Sequence, residues 1–153
     1  MIRIAGFGTL LIALTLALQG CNSGYGALSS SSGACTLPSG MQAALVYPPP
    51  NSTANGSQFG QVIIATTGTL PTDWASWDVE LGFPNAPIAP LFGTALTTAP
   101  SPLPSPAATP PFANPTYWKS AFGSVPTGTT MTAALNDLAS NCSPPVTLSN
   151  FSS

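Results

Sequence analysis

The stretch SWDVELGF, residues 76–83, indicates the fold class, because an apolar side chain occupies every second position along it. Its apolar phase consists of Trp77, Val79, Leu81 and Phe83. Asp78 and Glu80 occupy the other phase. Successive side chains of a β-strand point to opposite faces, so this pattern predicts a strand with one face in a core and the other face, with both carboxylates, in water.

Similar short runs, bounded by Pro, Gly and Asn, lie on both sides of this stretch. They are residues 41–47 (MQAALVY), 61–66 (QVIIAT), 116–125 (TYWKSAFGSV), 129–136 (TTMTAALN) and 146–151 (VTLSNF). The first run ends in three prolines, which cannot donate to a ladder, so we expect it at a sheet edge. The strongly apolar second run predicts a central strand. Only residues 131–140 carry a weak helical period, so we predict an all-β domain of six or seven short antiparallel strands.

Residues 84–115 contain ten prolines, including the run PSPLPSP, a composition that favours extended polyproline II backbone. A linker between two domains is one interpretation. However, the 38 residues that follow are too few for an independent core without a staple. We therefore predict a long surface loop within one domain, with a short edge strand near residues 91–96.

The charged residues exclude several classes of function. The chain has two basic and four acidic residues and no histidine. Arg3 lies near the N-terminus, which leaves Lys119 as the one cation of the remaining chain. A nucleic-acid-binding protein needs several cations to displace counterions from phosphates, so we expect no nucleic-acid partner. Without histidine, Ser-His-Asp triads and imidazole zinc sites cannot form, and we predict no catalysis, no metal and no cofactor.

The N-terminal residues have the organisation of an export signal. Arg3 is the positive charge, and residues 4–18 form an apolar stretch of 15 residues. A bilayer span needs roughly 20 apolar residues, so this stretch is too short for one. It has the length of the apolar part of a signal peptide.

The motif Leu18-Gln19-Gly20-Cys21 resembles the lipobox of bacterial lipoproteins, in which an aliphatic, a variable and a small residue precede the cysteine. The resemblance implies transfer of a diacylglyceryl group to the Cys21 sulfur and cleavage after Gly20. Asn22 follows the cysteine, where an aspartate would resemble an inner-membrane retention signal. The expected location is therefore the outer membrane or the cell surface. An ordinary secretory signal that leaves Cys21 free is the alternative.

The chain then divides into a signal peptide (residues 1–20), a Gly/Ser-rich tether (residues 21–34) and one domain (residues 35–153). If lipid occupies Cys21, Cys35 and Cys142 remain as an even pair in an exported chain. That pairing predicts one disulfide, with two buried free thiols as the alternative.

Residues 125–133 (VPTGTTMTA) look like the E-to-F corner of fibronectin type III and related bacterial Ig-like domains. In those domains an apolar residue, a Pro/Gly turn and a Thr precede a strand. The proline-rich turn after residues 45–47 and the place of Trp77 on the third strand are also similar to them. The resemblance implies an Ig-like β-sandwich. Met131 stands where the corner usually has a tyrosine, so the phenol hydrogen bond of such corners is missing.

The best candidate pair for chemistry is Asp78 and Glu80, whose side chains we expect roughly 7 Å apart, a spacing compatible with glycoside hydrolysis. A general acid needs an apolar pocket, so the predicted wet face favours a hydrated pair with no catalytic role. Asp73 and Asp137 lie in turn-like sequence, without the ligand spacing of a calcium loop.

Aromatic residues are the candidates for a sugar-stacking platform: Trp74, Trp77, Tyr117 and Trp118. The alternation of apolar positions directs Trp77 and one of the adjacent pair inward, which leaves one or two for a surface. We therefore expect a membrane-anchored envelope lipoprotein whose Ig-like domain has a structural, spacer or adhesive role. The alternative is a small glycan- or peptide-binding module of the envelope.

Overall fold

The computed structural model describes residues 33–54 and 60–153. The predicted signal peptide, Cys21 and the tether up to residue 32 lie outside the described residues. In the described part, eight β-strands and one three-residue 3-10 helix, η1 (Trp74–Ser76), follow one another along the chain. The strands are β1 (Gln42–Tyr47), β2 (Gln61–Thr67), β3 (Trp77–Gly82), β4 (Leu91–Phe92), β5 (Thr97–Thr98), β6 (Thr116–Ala121), β7 (Thr130–Asp137) and β8 (Val146–Ser152). Within these residues no helix is both long and apolar enough to cross a membrane.

The strands form two antiparallel sheets that pack face to face. Sheet A has the order β1-β2-β6-β5, and sheet B has the order β4-β3-β7-β8. These orders match the ABED and CFG sheets of Ig domains, with β4 as an additional edge strand. The all-β Ig-like sandwich predicted from the sequence is thus confirmed. The strand count is eight rather than six or seven, because the proline-rich segment contributes two edge strands of two residues each.

The core between the sheets is built by the alternating strand that the sequence singles out. All four apolar residues of its inner phase are buried, and they pack with Val62 and Ile64 of β2 and Met131 of β7. The run 61–66 lies between β1 and β6, so its prediction as a central strand is confirmed, and so is the edge position of β1.

Sheet A is covered on its outer face as well. Val46, Ile63 and Ala65 are fully buried there, and they form a second cluster with residues of the proline-rich segment. The segment contributes Ala99, Leu103 and Phe112 to that cluster. Along this part of the domain the sandwich has three layers: sheet B, sheet A and a proline-rich cover. The predicted surface loop therefore packs part of its length against sheet A.

Two short segments pass between the sheets. After β1, residues 51–54 pair with the edge strand β8, through the parallel bridge between Thr53 and Ser152. After β4, the Gly93 N–H donates to the Val79 carbonyl in sheet B at 2.9 Å, and the Thr94 N–H donates to the Ala121 carbonyl in sheet A at 2.8 Å. The chain thus changes sheet within two residues at Gly93.

A disulfide joins Cys35 to Cys142, with Cα atoms 4.9 Å apart. It connects the segment before β1 to the loop between β7 and β8, residues that are 107 positions apart in sequence. This outcome confirms the predicted pair. The alternative of two free thiols is wrong for this structure.

Candidate functional site

The outer face of sheet B carries the two carboxylates, at positions set by strand register. Asp78 lies opposite Asn136 of β7. Glu80 lies opposite Ala134 of β7 on one side and opposite Phe92 of β4 on the other. Directly opposite residues of antiparallel strands share a face, so these side chains form one outward-facing group.

Asp78 is buried, with 4% of its surface exposed, and its Oδ1 has no hydrogen-bond partner among the described residues. Burial, with the nearby Glu80 charge as the smaller cause, raises the pKa of Asp78 to about 6. The prediction that both carboxylates are hydrated is therefore wrong. Cys35, which is part of the disulfide, contacts Asn136 opposite Asp78. The alternation within one strand does not predict contacts from a distant part of the chain.

Glu80 is only partly buried, and Asn136 orients it. The Nδ2 of Asn136 donates to the Oε2 of Glu80 at 3.1 Å. Burial raises the pKa of Glu80, and the hydrogen bond from Asn136 partly opposes that shift. Asn136 is itself in contact with Cys35, whose Sγ lies 3.9 Å from Asn136 Oδ1. Because that sulfur is in a disulfide and carries no hydrogen, this is a packing contact and not a hydrogen bond.

A cavity of about 220 Å³ opens beside the disulfide. Its lining consists of Ala34, Cys35, Thr36, Trp77, Asp137, Ser140 and Cys142. Neither Asp78 nor Glu80 is part of that lining. Proton transfer requires the catalytic group to be within hydrogen-bond reach of the substrate, directly or through one water. A molecule in this cavity would therefore meet the disulfide and Asp137 instead of the carboxylate pair.

The three tryptophans pack against one another in the core. The Trp74 ring stacks on Trp77 with centroids 5.8 Å apart and meets Trp118 edge-on at 5.5 Å. Trp118 Nε1 donates to the buried Thr66 Oγ1 at 2.8 Å. Tyr117 packs into the cluster beneath the proline-rich cover. These residues therefore form no surface platform, because η1 turns Trp74 inward and β6 places its two aromatic residues on covered faces.

The exposed aromatic group lies elsewhere, at Phe92, of which 54% is exposed. In the described part of the chain it is the only exposed aromatic residue, the others being buried or partly buried. Strand alternation does not reveal its orientation, because β4 is only two residues long and its pairing with β3 places Phe92 on the outer face.

The remaining acidic residues are separate from this group. Asp73 is exposed before η1, and the Asp137 Oδ1 accepts a hydrogen bond from the Ala139 N–H at 3.0 Å. Among residues 33–54 and 60–153, no three His, Cys, Asp or Glu side chains come together as a potential metal site.

Comparison of the chain with protein-family models, curated proteins and solved structures found no match.

Proposed function

We propose that this protein is an exported lipoprotein, anchored through lipid on Cys21, whose Ig-like domain has a non-catalytic structural, spacer or adhesive role at the cell envelope. The observation that carries the proposal is the cysteine pairing. Of the chain's three cysteines, Cys35 and Cys142 are bonded to each other, which leaves Cys21 as the odd one. A disulfide is typical of an oxidising, exported location, and the odd cysteine is the one within the lipobox-like motif.

The non-catalytic role is supported by the geometry of the carboxylate pair. Asp78 has a raised pKa, as a general acid requires, but its Oδ1 is fully buried and the pair lies outside the cavity. A perturbed pKa marks functional sites only when a substrate can approach the group. Asp78 lies opposite Asn136, which contacts Cys35, so its burial belongs to the packing of this face.

The alternative, a glycan- or peptide-binding module, has one observation in its favour, the exposed Phe92 opposite Glu80. A stacking platform for sugars would be expected to offer at least two exposed aromatic rings. Phe92 is the single one in the described part of the chain, which favours the adhesive role over a glycan platform.

The lipid anchor is tested by labelling bacteria that express the chain with a fatty-acid analogue. We expect label on the wild type and on Asn22→Ala, and no label on Cys21→Ala, with protein amounts equalised by immunoblot. Undiminished label on Cys21→Ala would refute the anchor.

The absence of catalysis is tested by screening glycan and peptide substrates. Turnover by the wild type that is lost in an Asp78→Asn and Glu80→Gln double variant would establish an enzyme and overturn the non-catalytic role.

A further inference from the structure

The outer face of sheet B combines a carboxylate with an exposed ring. Glu80 and Phe92 are directly opposite each other on adjacent antiparallel strands. Side chains in such positions have Cβ atoms about 4.5–5.5 Å apart. A single ligand group can therefore touch both the carboxylate and the ring.

The Glu80 carboxylate uses one of its two oxygens in a hydrogen bond within the domain. Asn136 Nδ2 donates a hydrogen bond to Oε2 of Glu80, and Asn136 Oδ1 lies 3.9 Å from the Cys35 sulfur. Within the described residues, Oε1 of Glu80 accepts no hydrogen bond. Asp78, two residues away on the same face, contributes negative potential whenever it is ionised.

The domain has no cation of its own for this face. Lys119 is the one basic residue in the described part of the chain, and it belongs to sheet A, opposite Ile63 and Thr97. A cation that pairs with Glu80 would therefore come from outside the domain.

We propose that Glu80 and Phe92 bind an arginine or lysine side chain of a protein partner. The cation would pair with the carboxylate and lie over the ring, within the roughly 6 Å at which cation–π attraction acts. An arginine satisfies both contacts best, because its planar guanidinium stacks on aromatic rings and donates to carboxylates in the same geometry. A neutral glycan would gain nothing from the carboxylate charge and would find only one ring.

This proposal rests on the adhesive role proposed above and names the chemistry of its partner. Lipid attachment is measured separately by fatty-acid labelling, so a failure of one proposal is distinguishable from a failure of the other.

The test is an NMR titration of the purified, isotope-labelled full chain with the peptide Ac-Gly-Ser-Arg-Ser-Gly-NH2. Its twin, with glutamine in place of arginine, is the uncharged control. We expect the arginine peptide to shift the amide signals of Glu80, Phe92 and Asn136. High salt should weaken that response several-fold, because exposed ion pairs are screened. The glutamine peptide should leave the signals unchanged.

Variants locate the site. Glu80→Gln and Phe92→Ala should each weaken the response at least fivefold, whereas Asp73→Asn and Leu138→Ala should leave it intact, since both alter exposed residues outside this pair. The amide spectrum of each variant shows that it remains folded.

Several outcomes would overturn the proposal. The first is no shift at a peptide concentration on the order of 10 mM, near the weak limit of measurable affinity. The others are an equal response to the glutamine peptide and an unchanged response in Glu80→Gln. Shifts of Phe92 with cellotriose and none with the arginine peptide would assign the face to glycans. Shifts that depend on protein concentration alone would assign it to a second copy of the chain.

Discussion

The backbone N–H of Ala108 donates to the carbonyl oxygen of Val46 across 2.9 Å, so the proline-rich segment is hydrogen-bonded to the edge strand β1. Nine residues earlier the segment lies beside β6, where the Ala99 N–H donates to the Tyr117 carbonyl at 3.0 Å. Between Ala99 and Ala108 it therefore passes from β6 to β1 across the outer face of sheet A. An unpaired edge strand invites association with other chains, and here the segment covers part of that edge.

The cover should contribute to stability through Phe112, which packs on the cluster of Val46, Ile63 and Ala65. Phe112→Ala should lower the free energy of unfolding by about 1–3 kcal/mol, less than for a fully buried ring because Phe112 is only partly buried. Urea unfolding followed by tryptophan fluorescence measures the change. Leu138→Ala, at a side chain that is 54% exposed, is the control and should change it by less than about 0.5 kcal/mol. Equal losses of unfolding free energy in the two variants would mean that the packing of the segment does not contribute to stability.

Gly93 should tolerate no side chain. A Cβ at this position would overlap the Ser120 hydroxyl and lie 2.8 Å from a ring carbon of Phe122, and both of those residues are buried. Gly93→Ala should therefore destabilise the domain by about 1–3 kcal/mol, the range seen for overpacked sites. Gly123→Ala is the matched control, because nothing lies within 4 Å of its added Cβ. Thermal unfolding compares the two, and equal midpoints would contradict a close approach of the sheets at Gly93.

The disulfide should account for a large share of the stability. It closes a loop of 107 residues, and removal of a native disulfide from a small exported domain typically costs about 2–5 kcal/mol. A Cys35→Ser and Cys142→Ser double variant should show a loss of that size in urea unfolding. Reduction should destabilise the wild type equally and leave the double variant unaffected. If reduction has no effect on the wild type, packing alone holds the two segments together.

Sequence patterns predicted those parts of the fold in which the residues of one strand indicate which of its faces is buried. The alternation around Trp77 identified β3, the run containing Val62 and Ile64 identified a central strand, and the prolines after Tyr47 identified an edge. The cysteine count identified the disulfide. Each of these signals depends on a residue's own chemistry and its nearest neighbours along the chain.

The features that the sequence did not predict depend on what covers a strand from outside. The composition of the proline-rich segment predicts polyproline II backbone. Its sequence does not indicate that the segment packs on the cluster that contains Ile63. The polar phase of β3 predicts a solvent-exposed face, yet Asp78 is buried. Cys35, which lies 43 positions earlier in the chain, contacts Asn136 opposite Asp78, and the alternation within one strand does not predict such a contact. The orientation of Phe92 likewise follows from a two-residue pairing with β3.

The burial of Asp78 should make stability depend on pH in a specific direction. Its pKa rises from 3.8 to about 6 on folding, so between these pH values the folded state binds more protons than the unfolded state. Stability should therefore be highest below about pH 4 for this group and fall as the pH rises through 6. Glu80, whose pKa is also raised, should act in the same direction. Removing the charge of Asp78 alone identifies its share of the pH dependence of stability.

Asp78→Asn keeps the shape of the side chain and removes its ionisation. At pH 7 the variant should be more stable than the wild type by about 1–3 kcal/mol, because folding no longer buries a carboxylate whose Oδ1 is unpaired. Toward pH 3.5, about the lower end of the series, the difference should nearly disappear, since Asp78 is then mostly protonated in both the folded and the unfolded wild type. Urea unfolding at a series of pH values between 3.5 and 7.5, roughly the interval that spans the shift, measures both curves. Asp73→Asn removes the same charge from an exposed position and is the control. If Asp78→Asn is instead less stable than the wild type at pH 7, the ionised carboxylate has a stabilising partner, and its burial is not a cost of folding.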